Sequence, residues 1–315
     1  THHQIRESLR ILSSLREPEQ TVIVFPEEDA LICFLLQASE FLTQGFNISL
    51  GYPLKRTPLY TLLEAIFSAQ ETRTQDGRYY SSHYLKVLMH PYIKNLGLYK
   101  KEATSTRILV HKIEESLINM EDSSEIRPFV SLEDIETDHQ LLQDASEMIC
   151  ASQNITISPQ DLKKLLIEIH DIFFRNFEDL GDFKGFLERL ERLIYFVFEQ
   201  SLVSQYVFSS HIFKRFLEII EELKKSIYIK EFRFSKDSLF SLFRFYTEFE
   251  RIPFKGSPLK GVQLLGVLET RCLNFKNVVI FDVNEGILPS VVEADSLIPK
   301  GVLWQLGLNN FLQRE

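Results

Sequence analysis

Residues 262–290 read VQLLGVLETRCLNFKNVVIFDVNEGILPS. Arg271 sits in a short polar elbow between two apolar runs, VQLLGVL and NVVIFDV, and an acidic Asn284-Glu285-Gly286 turn closes at Pro289. Continuous Val/Ile/Leu runs mark strands buried on both faces of a parallel sheet, and such sheets hold ligands at the C-terminal ends of their strands. A guanidinium placed there can grip a phosphate through charge-assisted hydrogen bonds, or pair with a surface carboxylate. Other cations that could track a phosphodiester backbone are Lys55 and Arg56 in GYPLKRTP, the group Lys224, Lys225, Lys230, Arg233 and Lys236, and the smaller group Lys94, Lys100 and Lys101. Each group reads equally well as an ordinary solvated face.

Other chemistries find little footing. The phosphate cradle Gly-x-x-x-x-Gly-Lys-Ser/Thr is absent, and Gly256-Ser257-Pro258-Leu259-Lys260-Gly261 lacks its closing Lys-Ser/Thr. Asp182-Phe183-Lys184 and Glu222-Leu223-Lys224 have the carboxylate-x-lysine spacing of metal-dependent nucleases, but both stand in helical surroundings, where solvated charges are expected. The histidines form no zinc-peptidase pair, and no nucleophile elbow is present. Cys33, Cys150 and Cys272 are each more than a hundred residues from the next, which fits neither a disulfide framework nor a metal knuckle and suits a reducing cytoplasm. The sequence therefore assigns no catalytic, cofactor-binding or metal-ligating residue. Phe173, Phe174, Phe177, Phe183, Phe186, Tyr195, Phe196 and Phe198 could stack bases, although aromatics at helical spacing are more often core.

A net charge of −9 opposes simple nucleic-acid binding, so any such contact must be local. With 315 residues, 44% hydrophobic and 25% charged, the chain has the composition of about two globular domains. Twenty-six Phe against 12 Gly favours packed helices over glycine-rich loops. No apolar window approaches ~18 residues and no secretory signal opens the chain. The start at Thr1 rather than Met suggests an excised fragment.

The pattern along the chain predicts a helix over 3–16, a β-branched strand at 21–25, a helix from Glu27-Glu28-Asp29 through ALICFLLQASEFL, a short strand at 47–50, and a helix over 58–70 with Pro58 in its first turn. Residues 75–250 carry mainly helical periodicity, with starts at Ser81/Ser82 and Ser158-Pro159, further helices over 183–202, 205–226 and 237–251, and an acidic, weakly patterned stretch at 121–140. Strand signals return at 262–266 and 278–282. These segments predict an α/β fold in which strands from both ends of the chain share one parallel sheet, with residues 1–74 and 251–315 forming its two halves around a helical domain at 75–250.

The spacing of residues 262–290 closely resembles the fifth motif of superfamily 1 DNA helicases: a strand, a phosphate-contacting loop, Leu-x-Phe, a second strand and x-Glu-Gly-x-x-Pro. TVIVFPEEDALICFLLQ resembles the fourth motif, and GYPLKRTP is especially similar to the phrase found in AddB-type subunits, the nuclease-carrying partners in bacterial double-strand-break exonucleases. The likeness covers about 110 residues in two blocks. It implies a RecA-like second motor domain interrupted by a large all-helical insertion, in the UvrD and RecB manner. It also implies a non-catalytic role that guides DNA and docks an AddA-like helicase–nuclease subunit in the cytoplasm, with no membrane and no small-molecule substrate. Active members read Thr-x-His-x-x-Lys-Gly-Leu-Glu-Phe in this loop; here Leu268 replaces the His, Arg271 the Lys, Cys272 the Gly and Asn274 the Glu. Those departures imply lost ATPase function. The family's PD-(D/E)XK nuclease, with its Mg2+ and an iron–sulfur cluster, is expected beyond Glu315. Two other readings stay open: the motor half of an active helicase, and a helical interaction scaffold that binds no DNA.

Overall fold

The computed structural model describes residues 2–13, 17–27, 29–38, 46–119, 128–153, 156–202, 209–225, 233–253, 261–284 and 286–288. The chain divides into two compact units, one made of Thr1–Gly51 with Pro253–Glu315 and the other of Tyr52–Ile252.

The first unit is built on a four-stranded sheet. Numbered along the whole chain, its strands are β1 (Thr21–Phe25), β2 (Phe46–Ile48), β7 (Val262–Gly266) and β8 (Asn277–Ile280), in the spatial order β2-β7-β1-β8. Every neighbouring pair is parallel: Ile23 lies opposite Leu264 on one side and Val279 on the other, and Asn47 opposite Gln263. β1 is therefore sandwiched between two strands that follow it by more than two hundred residues. Its β-branched sequence TVIVF suits that place, and all five residues are buried. Val22 and Val24 on one face pack with Leu265 and the ring of Phe275. On the other face Phe25 stacks on Phe281 at 5.0 Å between ring centroids, and Phe34 of α2 (Asp29–Gln37) meets both rings edge-on. Helix α1 (His2–Ser13) lies against α2. Polar fasteners join the two chain segments: Asn47 Nδ2 donates to Gln263 Oε1 at 2.9 Å, Asn277 Nδ2 to Thr21 Oγ1 at 3.2 Å, and Lys276 Nζ to Glu17 Oε2 at 2.6 Å.

The second unit is helical. Strands β3 (Gly51–Pro53) and β6 (Arg251–Pro253) pair where the chain enters and leaves it, and β4 (Tyr79–Tyr80) pairs antiparallel with β5 (Phe129–Val130). Its helices are α3 (Pro58–Glu71), α4 (Ser81–Leu88), α5 (Pro91–Lys94), α6 (Thr104–Asn119), α7 (Leu132–Glu136), α8 (His139–Gln153), α9 (Pro159–Phe173), α10 (Phe183–Gln200), α11 (Ser209–Lys224) and α12 (Lys236–Thr247). Their starts follow local chemistry. Thr57, Ser158, Asp182 and Ser235 each accept a hydrogen bond from a first-turn backbone N–H, at 3.3, 3.1, 2.7 and 3.2 Å respectively. Pro58 and Pro159 supply the preset first residue of α3 and α9. The core centres on Phe67, stacked on Phe240 at 4.2 Å and flanked by Phe186 and Phe243.

Several expectations shift. The boundary falls after Gly51 rather than after residue 74, because Leu62, Leu63, Ile66 and Phe67 of α3 are buried in the core of the helical unit. The chain returns to the sheet unit at Pro253 rather than 251. The strands at 46–48 and 277–280 are shorter or displaced by one or two residues relative to 47–50 and 278–282. The acidic stretch at 121–140 contains β5 and α7 in its described part, and α8 is a full helix that the pattern did not announce.

Candidate nucleic-acid interface

All four strands run the same way, so the segments leaving β1, β2, β7 and β8 emerge at one edge of the sheet. Behind β7 the chain makes two tight turns. Thr270 Oγ1 donates to the carbonyl of Val267 at 2.7 Å, the Arg271 N–H to that of Leu268 at 3.3 Å, and the Leu273 N–H to that of Thr270 at 3.2 Å. A Cβ on Gly266 would collide with the Glu269 carboxylate and meet Leu50 Cδ2 at 3.0 Å, so the bare glycine lets Glu269 fold over the strand end. Phe275, the aromatic of Leu-x-Phe, plugs against Val22, Val24 and Leu265 and anchors the loop's far end.

Between these anchors Arg271, Cys272, Leu273 and Asn274 are all exposed. Cys272 has φ +61°, the left-handed conformation that a side chain with a Cβ adopts at a cost of roughly 1–2 kcal/mol. The backbone thus keeps a glycine-like shape where the resembling motif has glycine. Among the described residues Arg271 makes no ion pair, and its side chain is exposed. Glu269, exposed on the same turn, and Asp282, left-handed at φ +48° just after β8, place negative charge at the same sheet edge. Asn284 follows as expected, its carbonyl accepting from the N–H groups of Ile287 and Leu288 at 3.0 Å, and Gly286 takes φ +90°. Glu285 and Pro289 lie outside the described residues.

The remaining candidate cations fare differently. Lys55 is held by Glu248 at 2.9 Å, a hydrogen bond that raises its pKa above the ordinary lysine value. Lys224 bridges Glu191 at 2.7 Å and Glu221 at 3.0 Å. Arg56 closes a single 3₁₀ turn, Leu54–Arg56, and is exposed. Lys225 is exposed just past α11, Arg233 pairs backbone-to-backbone with Asp182, and Lys230 lies outside the described residues. Lys236 turns inward and donates to the Gln70 carbonyl at 2.6 Å. Lys55 and Arg56 are adjacent, as are Lys224 and Lys225, but carboxylates already occupy Lys55 and Lys224.

The aromatic set resolves mainly into core. Phe173, Phe174, Phe177, Phe183 and Phe186 are buried, while Tyr195 and Phe198 are about half exposed. Among the described residues the most exposed rings are instead Phe245 at 70% and Phe249 at 86%, beside Tyr246. The signal for them was available in DSLFSLFRFYTEFER: Leu239, Phe240, Phe243 and Thr247 take the buried i, i+3, i+4 face, which turns Phe245, Tyr246 and Phe249 outward.

A buried polar relay in the helical unit brings together catalytic residue types. Tyr84 Oη lies 2.8 Å from His170 Nε2, His170 Nδ1 lies 2.6 Å from Glu136 Oε1, and Arg175 reaches Glu136 at 2.8 Å. Glu136 can only accept, so the His170 proton sits on Nδ1 and Nε2 accepts from the tyrosine. Burial pushes the His170 pKa down and the Tyr84 pKa well up. Burial also raises that of Glu136, but hydrogen bonds from His170 and Arg175 outweigh it and leave the carboxyl below its ordinary value. His170 is fully enclosed, and the nearby cleft of about 390 Å3 between α9 and α10 is lined by Asp171, Ile172 and Arg192 rather than by His170. The relay therefore fastens α4, α7 and α9 together.

Among the described residues no three His, Cys, Asp or Glu side chains gather as metal ligands, and no helix is long and apolar enough to cross a membrane. The three cysteines are free thiols. No protein-family model and no curated protein matches the sequence.

Proposed function

We propose that the chain is the helicase-like portion of an AddB-type exonuclease subunit: a RecA-like domain carrying a helical insertion, which binds and guides DNA and docks an AddA-like helicase–nuclease partner in the cytoplasm. The observation that carries this reading is the parallel sheet itself, in which the strand resembling the fourth helicase motif lies between the two strands resembling the fifth. A Walker cradle is absent, and the positions of the family's His and Glu are the exposed Leu268 and Asn274. What survives is a cation, Arg271, on a loop of glycine-like shape. That combination supports one phosphate contact and gives no handle on a nucleotide's ribose. The module therefore contributes binding and positioning, while chemistry belongs to a nuclease with its Mg2+ and iron–sulfur cluster beyond this segment.

An interaction scaffold without DNA contact is the second reading, favoured by the net charge of −9 and by the carboxylates that occupy Lys55 and Lys224. Titration of labelled forked DNA at several salt concentrations separates the two. The DNA-guiding module binds with an affinity that falls steeply as salt rises, whereas a scaffold shows no shift. Hydrolysis of ATP stimulated by DNA would contradict both and return the chain to the active helicases.

A further inference from the structure

We propose that the turn at residues 99–102, with Lys94 on the preceding α5 and Arg107 on the following α6, is a nucleic-acid phosphate-binding tip on the helical unit. It rests on the reading of the chain as a DNA-handling module and adds a contact surface far in sequence from Arg271.

Tyr99 and Glu102 form an antiparallel bridge, and the Glu102 N–H donates to the Tyr99 carbonyl at 3.0 Å. The two residues between them, Lys100 and Lys101, have φ +51° and +58°. Left-handed backbone at both central positions is the demand of the tightest hairpin turn, which Asn-Gly or Gly-Gly normally meets. Two consecutive lysines there are strained, and the surroundings hold them in place. A Cβ on Gly97 would sit 3.1 Å from the Lys101 carbonyl carbon, and the Gly97 N–H donates to the Gln200 carbonyl at 2.8 Å. Tyr99 Oη donates to the Thr156 carbonyl at 2.8 Å, and Thr106 Oγ1 to that of Leu96 at 2.9 Å. Residues at the end of α10, ahead of α9 and on α6 thus pin the turn from three sides. A strained conformation that survives on an over-determined surface points to a use for the side chains it presents.

Among the described residues those side chains are cations without carboxylate partners. Lys55, Arg175, Arg215, Lys224, Arg244 and Lys276 each pair with a carboxylate. Among the described residues, Lys94, Lys100, Lys101 and Arg107 pair with none. Lys94 Nζ instead lies 3.1 Å from His111 Nε2, Arg107 donates to Asn95 Oδ1, and Lys100 Nζ stands 5.5 Å over the Tyr99 ring. Glu102 is the turn's own carboxylate, and it too makes no ion pair among the described residues. Among the described residues these four cations, two of them adjacent in one turn, face a single carboxylate of the turn, Glu102, in a chain whose net charge is −9. Ammonium point charges on a rigid base suit the successive single charges of a phosphodiester backbone.

The test compares the wild-type chain with Lys100→Gly/Lys101→Gly and Lys100→Arg/Lys101→Arg, each titrated with labelled forked DNA across a salt series. Glycine relieves the backbone while deleting the charge, so that variant melts at a higher temperature and yet binds DNA more weakly. The slope of log affinity against log salt is shallower by about 1.4–1.8, at roughly 0.7–0.9 for each of two lost phosphate contacts. The arginine variant keeps the wild-type slope. Equal slopes and affinities for the wild type and the glycine variant overturn the tip while leaving the DNA-guiding reading intact. A wild-type chain that binds no DNA overturns both, and one that binds anionic phospholipid vesicles in preference to DNA overturns the tip's assignment to nucleic acid.

Discussion

At the scale of single residues, Arg271 and Cys272 divide the work of one loop. Among the described residues the guanidinium pairs with no carboxylate, and the cysteine holds a backbone shape that its own Cβ resists. Cys272→Gly removes that resistance and is expected to raise stability by about 1 kcal/mol, read as a higher urea midpoint at unchanged slope. Arg271→Ala is expected to leave the midpoint alone, to weaken DNA binding, and to lower the salt slope by about 1. The relay makes the opposite kind of prediction. Glu136→Ala leaves the buried His170 Nδ1–H without its acceptor and Arg175 with Asp171 alone, and is expected to destabilise by about 1–3 kcal/mol, measurable in the same denaturation series. The loop's cation was legible in the sequence because Arg271 falls between two strand-like runs. The neutralisation of Lys55 and Lys224 was not, because Glu248 and Glu191 come from positions 193 and 33 residues away. The strain at Cys272 was legible only through the glycine that the resembling motif keeps there.

Among the elements, legibility followed local chemistry. Thr57-Pro58 and Ser158-Pro159 announced α3 and α9 because cap and proline act within one turn. Helix α8 gave no such notice: its sequence HQLLQDASEMICASQ mixes polar and small residues, and its burial depends on α6 and α9 packing against it. The unit to which α3 belongs was likewise a tertiary fact, set by Phe67 among Phe186, Phe240 and Phe243. Phe67→Ala is expected to cost about 3–5 kcal/mol. Helix α5 carries a pH dependence. His90 caps it through Nδ1, which accepts from the Tyr92 N–H at 3.2 Å. Thr61 Oγ1 already donates to the Pro58 carbonyl, so Nε2–H donates to Thr61 at 3.1 Å and the ring is complete when neutral. Burial pushes its pKa down to about 4. The unfolded chain takes up the proton near pH 6.5 and the folded chain does not, so stability falls as pH drops from about 6.5 toward 4. The enclosed, down-shifted His170 acts in the same direction. His90→Asn keeps a cap acceptor without titrating, so its midpoint is expected to decline less between pH 7 and 5 than that of the wild type. Parallel declines would assign the acid sensitivity elsewhere.

For the whole molecule, the organising fact is that a sheet is completed by segments from opposite ends of the chain. Continuous apolar runs at 21–25 and 262–266 made the strands legible, and the parallel pairing followed from their fully buried pattern. Their order in space had no local signal, since register and neighbour choice are decided by side chains such as Asn47 and Gln263 that meet only after folding. The most direct measurement is native-state hydrogen exchange on the 315-residue chain across a denaturant series. The backbone groups of β1 bond to β7 and β8, so amides of residues 21–25, 262–266 and 277–280 should become exchangeable together, with one opening free energy and one denaturant dependence. If the amides of residues 21–25 open independently of those at 262–266, the two ends fold separately, and the shared sheet together with the function built on it is contradicted.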